Sequence, residues 1–313
     1  MENNASGAHQ YDDEIDLKEL FGVLWTGKIL IVAITAVFAI GSVLVALWLP
    51  NQYKATAVLA PAQADGGGLS SALGQLGGLA SLAGVSIGEG SSSESQIAQE
   101  IMKSWSFVES FIVSNNLEVE VYAAEGWSKR SGELEIDDDV YDIDTQAWLL
   151  EDDDTDELRP PTSWELFERF DEMLSVSQDK TSGLVSVYLE YYSPIIAKEW
   201  LDLYIKAINE HMQARQVTKV SSNISYLEAQ IAKTSIAEMR EVFYTIIEEQ
   251  TKNKMVAEAS PDYAFVAVSP SMVPEEKSKP SRALICVLGT LLGGMLSVVI
   301  VLVRHYARSE PDA

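Results

Sequence analysis

Two uncharged apolar runs, Ile29 to Leu49 and Ala283 to Val303, constrain this chain more than any other feature. Each holds 21 residues, and at about 1.5 Å of rise per residue each makes a helix about 31 Å long, the thickness of a bilayer's hydrocarbon core. A helix satisfies its own backbone hydrogen bonds and is therefore stable in lipid. The runs predict a two-span membrane protein with one large domain between the spans and both termini on one side. The competing reading of the first run is a cleaved signal peptide, for which Ala55-Thr56-Ala57 offers a small-x-small site. The run is long for a signal core, however, and Asp12, Asp13, Glu14, Asp16 and Glu19 make the preceding segment acidic where a signal peptide is basic. Flanking charge does not orient the spans. Lys28, Arg304 and Arg308 lie on the terminal side, while Lys277, Lys279 and Arg282 crowd the other.

The chain carries 47 acidic and 22 basic residues, a formal net charge of −25. Residues 50 to 282 hold 39 of the acids and 18 of the bases, a balance of −21. So acidic a domain is repelled by phosphate backbones, which excludes a nucleic-acid partner. The one cysteine, Cys286, lies in the second apolar run, so neither an intrachain disulfide nor a multi-cysteine metal site can form.

Before the first run, Leu17, Leu20, Phe21 and Leu24 follow helical spacing and lead to Trp25. This pattern fits either an amphipathic surface helix or an extension of the spanning helix. Tyr53 to Leu59 reads as a strand, and residues 66 to 93, rich in Gly, Ala, Ser and Leu, read as a loop. Order is expected to resume at Glu94, with helices through Ile97, Ile101, Phe107, Val108 and Phe111 and a strand at Leu117 to Tyr122. The stretch Glu133 to Glu157 is an acidic insertion. An EF-hand register counted from Asp152 accommodates Asp154 and Asp156 but meets Glu157 where glycine is required and Ser163 where the last glutamate belongs, so solvated charge is favoured over a metal site.

Met173 to Ser177 and Leu184 to Tyr191, joined by Asp179-Lys180-Thr181-Ser182-Gly183, predict a β-hairpin. Beyond Pro194 the period becomes helical. Leu201, Ile205, Ile208 and Met212 are followed by Val217, Val220, Ile224, Leu227 and Ile231, a narrow seam of the coiled-coil kind. Ser235 and Glu238 form a capping-box pattern for a returning helix with Ile236, Met239, Phe243 and Ile246 along one face. Residues 195 to 258 are thus expected to make a helical arm whose seam needs a partner. Tyr263 to Val268 is a closing strand, and Pro270, Pro274 and Pro280 punctuate the connector to the second run. In that run Gly289 and Gly293 form GxxxG beside Gly294, and Ser42 and Ala46 of the first run share the spacing, so close helix packing is expected.

Chemistry is sparse. Histidine occurs at His9, His211 and His305, and none has a nucleophile at readable spacing. No P-loop is present, and no cofactor or catalytic residue is expected.

The Glu14-Ile15-Asp16-Leu17 block before a span, Tyr53 to Pro61 after it, the hairpin ending in Tyr192-Ser193-Pro194, the long helical arm and the run Ser269-Pro270-Ser271-Met272-Val273-Pro274 through Lys279-Pro280 together resemble the Wzz-type polysaccharide co-polymerases, the chain length determinants of lipopolysaccharide O-antigen. The resemblance implies an α+β inner-membrane protein: a cytoplasmic tail over residues 1–28, spans at 29–49 and 283–303, a periplasmic α/β base with a protruding arm over 50–282, and a second cytoplasmic tail at 304–313. It also implies a closed, octamer-like homo-oligomeric ring, a Wzy-type polymerase and a growing lipid-linked polysaccharide as partners, and a regulator rather than an enzyme. The proline spacing is looser than the commonest family pattern and the acidic insertion is heavier. Two alternatives stand beside this reading: a co-polymerase or export accessory for capsule or exopolysaccharide, and a tethered glycan enzyme working through carboxylates.

Overall fold

A computed structural model describes residues 17–62, 90–152 and 157–309, which belong to two compact units: Met1–Leu49 with Lys279–Ala313, and Pro50–Ser278. The Glu14-Ile15-Asp16 block, most of the glycine-rich segment, and Asp153, Asp154 and Asp156 lie outside the described residues.

The first unit contains α1 (Leu17–Thr26), α2 (Lys28–Trp48) and a C-terminal helix, α9 (Arg282–Ser309). Both α2 and α9 are long and apolar enough to cross a membrane. Only 6% of the most apolar stretch of α2 and 17% of that of α9 is buried, whereas a soluble core helix would be covered. A turn at Gly27 separates α1 from α2, so the segment before the first span is a distinct short helix.

In the second unit, β1 (Gln52–Pro61) is followed by α3 (Gly90–Met102), α4 (Trp105–Ser114) and α5 (Glu118–Tyr122). Three small antiparallel pairs come next: β2 (Ala124–Trp127) with β3 (Leu134–Ile136), β4 (Tyr141–Asp142) with β5 (Ala147–Trp148), and β6 (Leu150–Glu151) with β7 (Leu158–Arg159). Then follow α6 (Ser163–Met173), β8 (Leu174–Gln178), β9 (Val185–Tyr191), α7 (Pro194–Lys233), α8 (Ala237–Ala259), β10 (Phe265–Ser269) and β11 (Lys277–Lys279).

The main sheet runs β10-β1-β9-β8, with β11 also paired to β1. Strand alternation puts Ala55, Ala57 and Leu59 of β1 and Val185, Val187, Leu189 and Tyr191 of β9 on a buried face. Against it pack Ala197, Leu201, Tyr204 and Ile208 from the first half of α7, at the spacing of one helix face. The Tyr204 ring lies edge-on to Phe107 and Phe111, at 5.3 and 4.8 Å between centroids, and its hydroxyl donates to the Met102 carbonyl. Tyr191 donates to Glu120 O at 2.6 Å. Because Ala55 and Ala57 are fully buried in mid-strand, cleavage at the small-x-small site would cut β1.

The β8–β9 hairpin forms as the spacing predicts. Its turn is closed by the Asp179 carboxylate, which accepts from Thr181 N at 2.7 Å, and by Gly183 at φ +72°, a conformation that favours glycine.

Four expectations need correction. Leu117 to Tyr122 is mostly the helix α5 rather than a strand: its alternating sequence mimics a strand, but Leu117 and Val121 are the buried pair, four residues apart. Met173 ends α6 instead of opening β8. The helix α3 begins at Gly90, four residues before Glu94. The Ser235/Glu238 box does not form; α8 has Ile236 at its N-cap with no side-chain cap. A capping box does form at α6, between Thr162 and Glu165.

Candidate functional site

The spans pair through their small residues. A Cβ added to Gly289 would collide with the Ser42 side chain, and one added to Gly293 would stand 2.5 Å from Phe38 Cβ. Gly294 is looser, its nearest neighbour there being Thr35 Oγ1 at 4.0 Å. On α2, Phe38, Ser42 and Ala46 fall four residues apart, one ridge of the helix, and Ala46 is buried. The glycine face of α9 is therefore occupied by this chain's own first span. Ser42 and Ser297 turn their hydroxyls back to Ala39 O at 2.8 Å and Gly294 O at 2.6 Å.

The connector is anchored rather than free. Ser271, buried between Pro270 and Pro274, donates to the Asp202 carboxylate, which also pairs with Lys198 at 2.6 Å. Lys277 Nζ reaches Asn51 Oδ1 at 3.4 Å, and Ser278 Oγ donates to Gln52 O at 3.2 Å. Pro280 follows a cis peptide bond.

The arm is a helical hairpin of α7 and α8. Along the seam Val220 is buried, whereas Val217, Ile224, Leu227 and Ile231 are only half-buried. The face that α8 turns inward is Phe243, Ile247, Gln250, Lys254 and Ala257, spaced 4-3-4-3. This corrects the expected face: Ile236, Met239 and Ile246 are exposed, as are Val242, Tyr244 and Met255. At the root of the hairpin, Asn209 accepts from Ala264 N and Phe265 N, both at 2.8 Å, and donates to Phe265 O at 2.9 Å. Gln213 donates to Ala257 O at 2.9 Å and Ser260 O at 3.0 Å.

His211 is exposed, its ring centroid 5.3 Å from that of Phe107. Among the described residues no group of three His, Cys, Asp or Glu is positioned to hold a metal. Asp142 uses its oxygens locally, accepting from Asp144 N at 2.9 Å and Thr145 Oγ1 at 2.6 Å, and these hydrogen bonds hold its carboxyl below the ordinary range. Arg159 forms a two-pronged pair with Glu165 at 2.8 and 2.9 Å, and Thr162 N adds a third donor at 2.7 Å. Together they pull the Glu165 pKa down to about 2.

Asn209, Ser271, Asp202 and the Arg159–Glu165 pair were missed by sequence reasoning. The Thr162-x-x-Glu165 spacing ahead of Leu166 and Phe170 was a readable signal for the last.

Residues 13–114 match the family model Wzz, "Chain length determinant protein". The chain carries a Wzz chain length determinant domain. Residues 236–306 match GNVR, "G-rich domain on putative tyrosine kinase". No curated protein matches the chain. Among solved structures, a full-length bacterial polysaccharide co-polymerase aligns at 16% identity and a TM-score of 0.43, covering 96% of this chain and all of that one. A fragment of WzzB, a polysaccharide co-polymerase from Salmonella Typhimurium, aligns at 14% identity and a TM-score of 0.32, covering 73% of this chain and all of the fragment. The Wzz assignment rests on the sequence match over residues 13–114.

Proposed function

We propose that this chain is a non-catalytic regulator of lipopolysaccharide O-antigen length, setting the modal number of repeat units that a Wzy-type polymerase adds. The carrying observation is the Wzz match across the first span and β1, joined to a second span after one intervening domain. Residues 50 to 282 lie in the periplasm of a Gram-negative cell, with both termini in the cytoplasm. The protein works as a closed ring of its own copies around or beside the growing lipid-linked polymer. Support for self-association comes from the half-covered arm seam and the exposed apolar side chains of α8, including Met239, Val242 and Met255. Gly289 and Gly293, by pairing the spans, fix how the membrane part is presented to the polymerase, and Pro270, Pro274 and Pro280 stiffen the connector.

The GNVR match favours a second reading. The C-terminal part of the chain matches a domain named after tyrosine kinases rather than chain length determinants, which fits a co-polymerase or export accessory for capsule or exopolysaccharide. Deletion and complementation in the native host separate the two. A shifted ladder of O-antigen bands on a lipopolysaccharide gel supports the first reading. An unchanged ladder with an altered size distribution of secreted polysaccharide supports the second. Loss of all polymer on replacing one or two carboxylates would instead reveal a glycan enzyme.

A further inference from the structure

The terminal-side end of the two-span unit contains a cleft that span packing alone does not explain. Its volume is about 590 Å³, in the range of small-molecule sites. Leu30, Ala33 and Val301 form apolar walls, and Thr26, Arg304 and His305 stand at the rim. Gly27 shapes it: a Cβ there would stand 2.5 Å from Val301 Cγ1, so α9 can approach the α1–α2 junction only because that side chain is missing.

The rim lies at the edge of the hydrocarbon layer, because Lys28 is the last charge before the first apolar run and Arg304 the first after the second. The Lys28 ammonium lies 4.7 Å from the Trp25 ring centroid, and Trp25 stacks on Phe21 at 6.1 Å, the aromatic furniture of a headgroup layer. Among the described residues no carboxylate pairs with Arg304 or Lys28. Arg304 lines the apolar cleft and Lys28 lies between two residues that do, Gly27 and Ile29, so the site asks for an anion carrying a hydrocarbon chain.

We propose that this cleft holds one anionic phospholipid, its phosphate at Arg304 and Lys28 and an acyl chain along Leu30, Ala33 and Val301. The inference rests on the membrane reading above. A zwitterionic lipid would fill the walls but bring its own ammonium to two cations. Free phosphate would serve the cations but leave the walls against water or detergent.

The test is native mass spectrometry on the delipidated full-length protein, titrated with phosphatidylglycerol or with phosphatidylcholine of the same chains. Each basic residue near an anionic headgroup contributes about fivefold, so phosphatidylglycerol should be retained at one per chain about tenfold or more over phosphatidylcholine. Arg304→Gln should lower that preference about fivefold. Ala33→Phe crowds the wall and should weaken both lipids alike. Equal retention of the two lipids, a preference untouched by Arg304→Gln, binding untouched by Ala33→Phe, or displacement of the lipid by excess inorganic phosphate each overturns the proposal. Alkaline extraction keeps the two readings apart. Protein released from membranes by carbonate overturns the membrane reading itself, whereas retained protein without lipid preference overturns only this inference.

Discussion

Replacing Asn209 by leucine removes three hydrogen bonds at the point where the chain returns from α8 into the sheet. Ala62 N donates to Ala264 O at 2.9 Å, so Ala264 faces β1 and Phe265, one residue on, turns its own N–H and C=O to the open edge of β10. Asn209 meets both groups and also the Ala264 N–H, supplying through its amide what a neighbouring strand would have offered. Phe265 is fully buried, so its two groups find no water when the amide is gone. A buried unsatisfied group costs about 1 to 3 kcal/mol, and two of them bring the loss to about 3 kcal/mol, the half-buried Ala264 N–H adding little. For a unit of this size 1 kcal/mol shifts the melting midpoint by about 2 to 4 °C, so Asn209→Leu should lower it by about 6 to 12 °C. The measurement is thermal unfolding of the purified full-length protein in detergent followed by circular dichroism. Glu210→Gln, a change at an exposed neighbour, is the control and should stay within about 0.5 kcal/mol of the parent. A drop of under about 2 °C for Asn209→Leu would refute the claim that this amide carries the edge of β10.

Further outcomes are expected. Gly289→Leu with Gly293→Leu forces side chains into Ser42 and Phe38, an overpacking of about 1 to 3 kcal/mol per site, and should broaden or shorten the polysaccharide length distribution while polymer is still made; an unchanged modal length on gels at matched expression would remove the role given to these glycines. Glu165 has a folded pKa of about 2 against an ordinary 4.5, so its pairing with Arg159 stabilises above pH 4.5 and is lost as pH falls toward 2. Glu165→Gln should therefore destabilise at neutral pH and flatten that part of the acid limb, read from unfolding midpoints across pH. Ile246→Glu places a charge on the exposed flank of α8 and should weaken self-association in light scattering without changing helicity; an unaltered oligomer would show that this flank is not part of the interface.

The features visible in the sequence are those written by local period. The two apolar runs, the alternation in β1 and β9, the Asp179 to Gly183 turn and the continuous helix through α7 each need only neighbouring residues to be recognised. Period fails where two patterns coincide. Glu118-Val119-Glu120-Val121 alternates like a strand, yet its five-residue helix is held by a contact between Leu117 and Val121. On α8 apolar residues occur on more than one side, so the phase that Phe243 and Ala257 reveal could not be chosen from spacing alone. The Ser235/Glu238 pattern had the letters of a cap without its geometry. In the candidate site, the glycines announced a close approach but not which helix would make it. Asn209 and Ser271 act across 56 and 69 residues of chain on backbone and carboxylate partners, and such matches leave no trace in spacing.

The placement of β1 also sets an order of events during synthesis. This strand leaves the ribosome soon after the first span, but its partner at Tyr53 is Tyr191 and its partner at Val58 is Ser269. Loop-closure entropy must be met across more than a third of the chain for the ladder with β9 and more than half of it for the ladder with β10, and contacts so distant in sequence fold slowly. Until β9 has been made β1 exposes two unpaired edges, and until α7 and α8 have followed it still exposes one, the state in which a strand recruits the wrong neighbour. A chain released before Phe265 would keep β1 beside β9 and still lack the strand on its other side, which makes late truncations aggregation-prone while sparing the membrane segment already inserted.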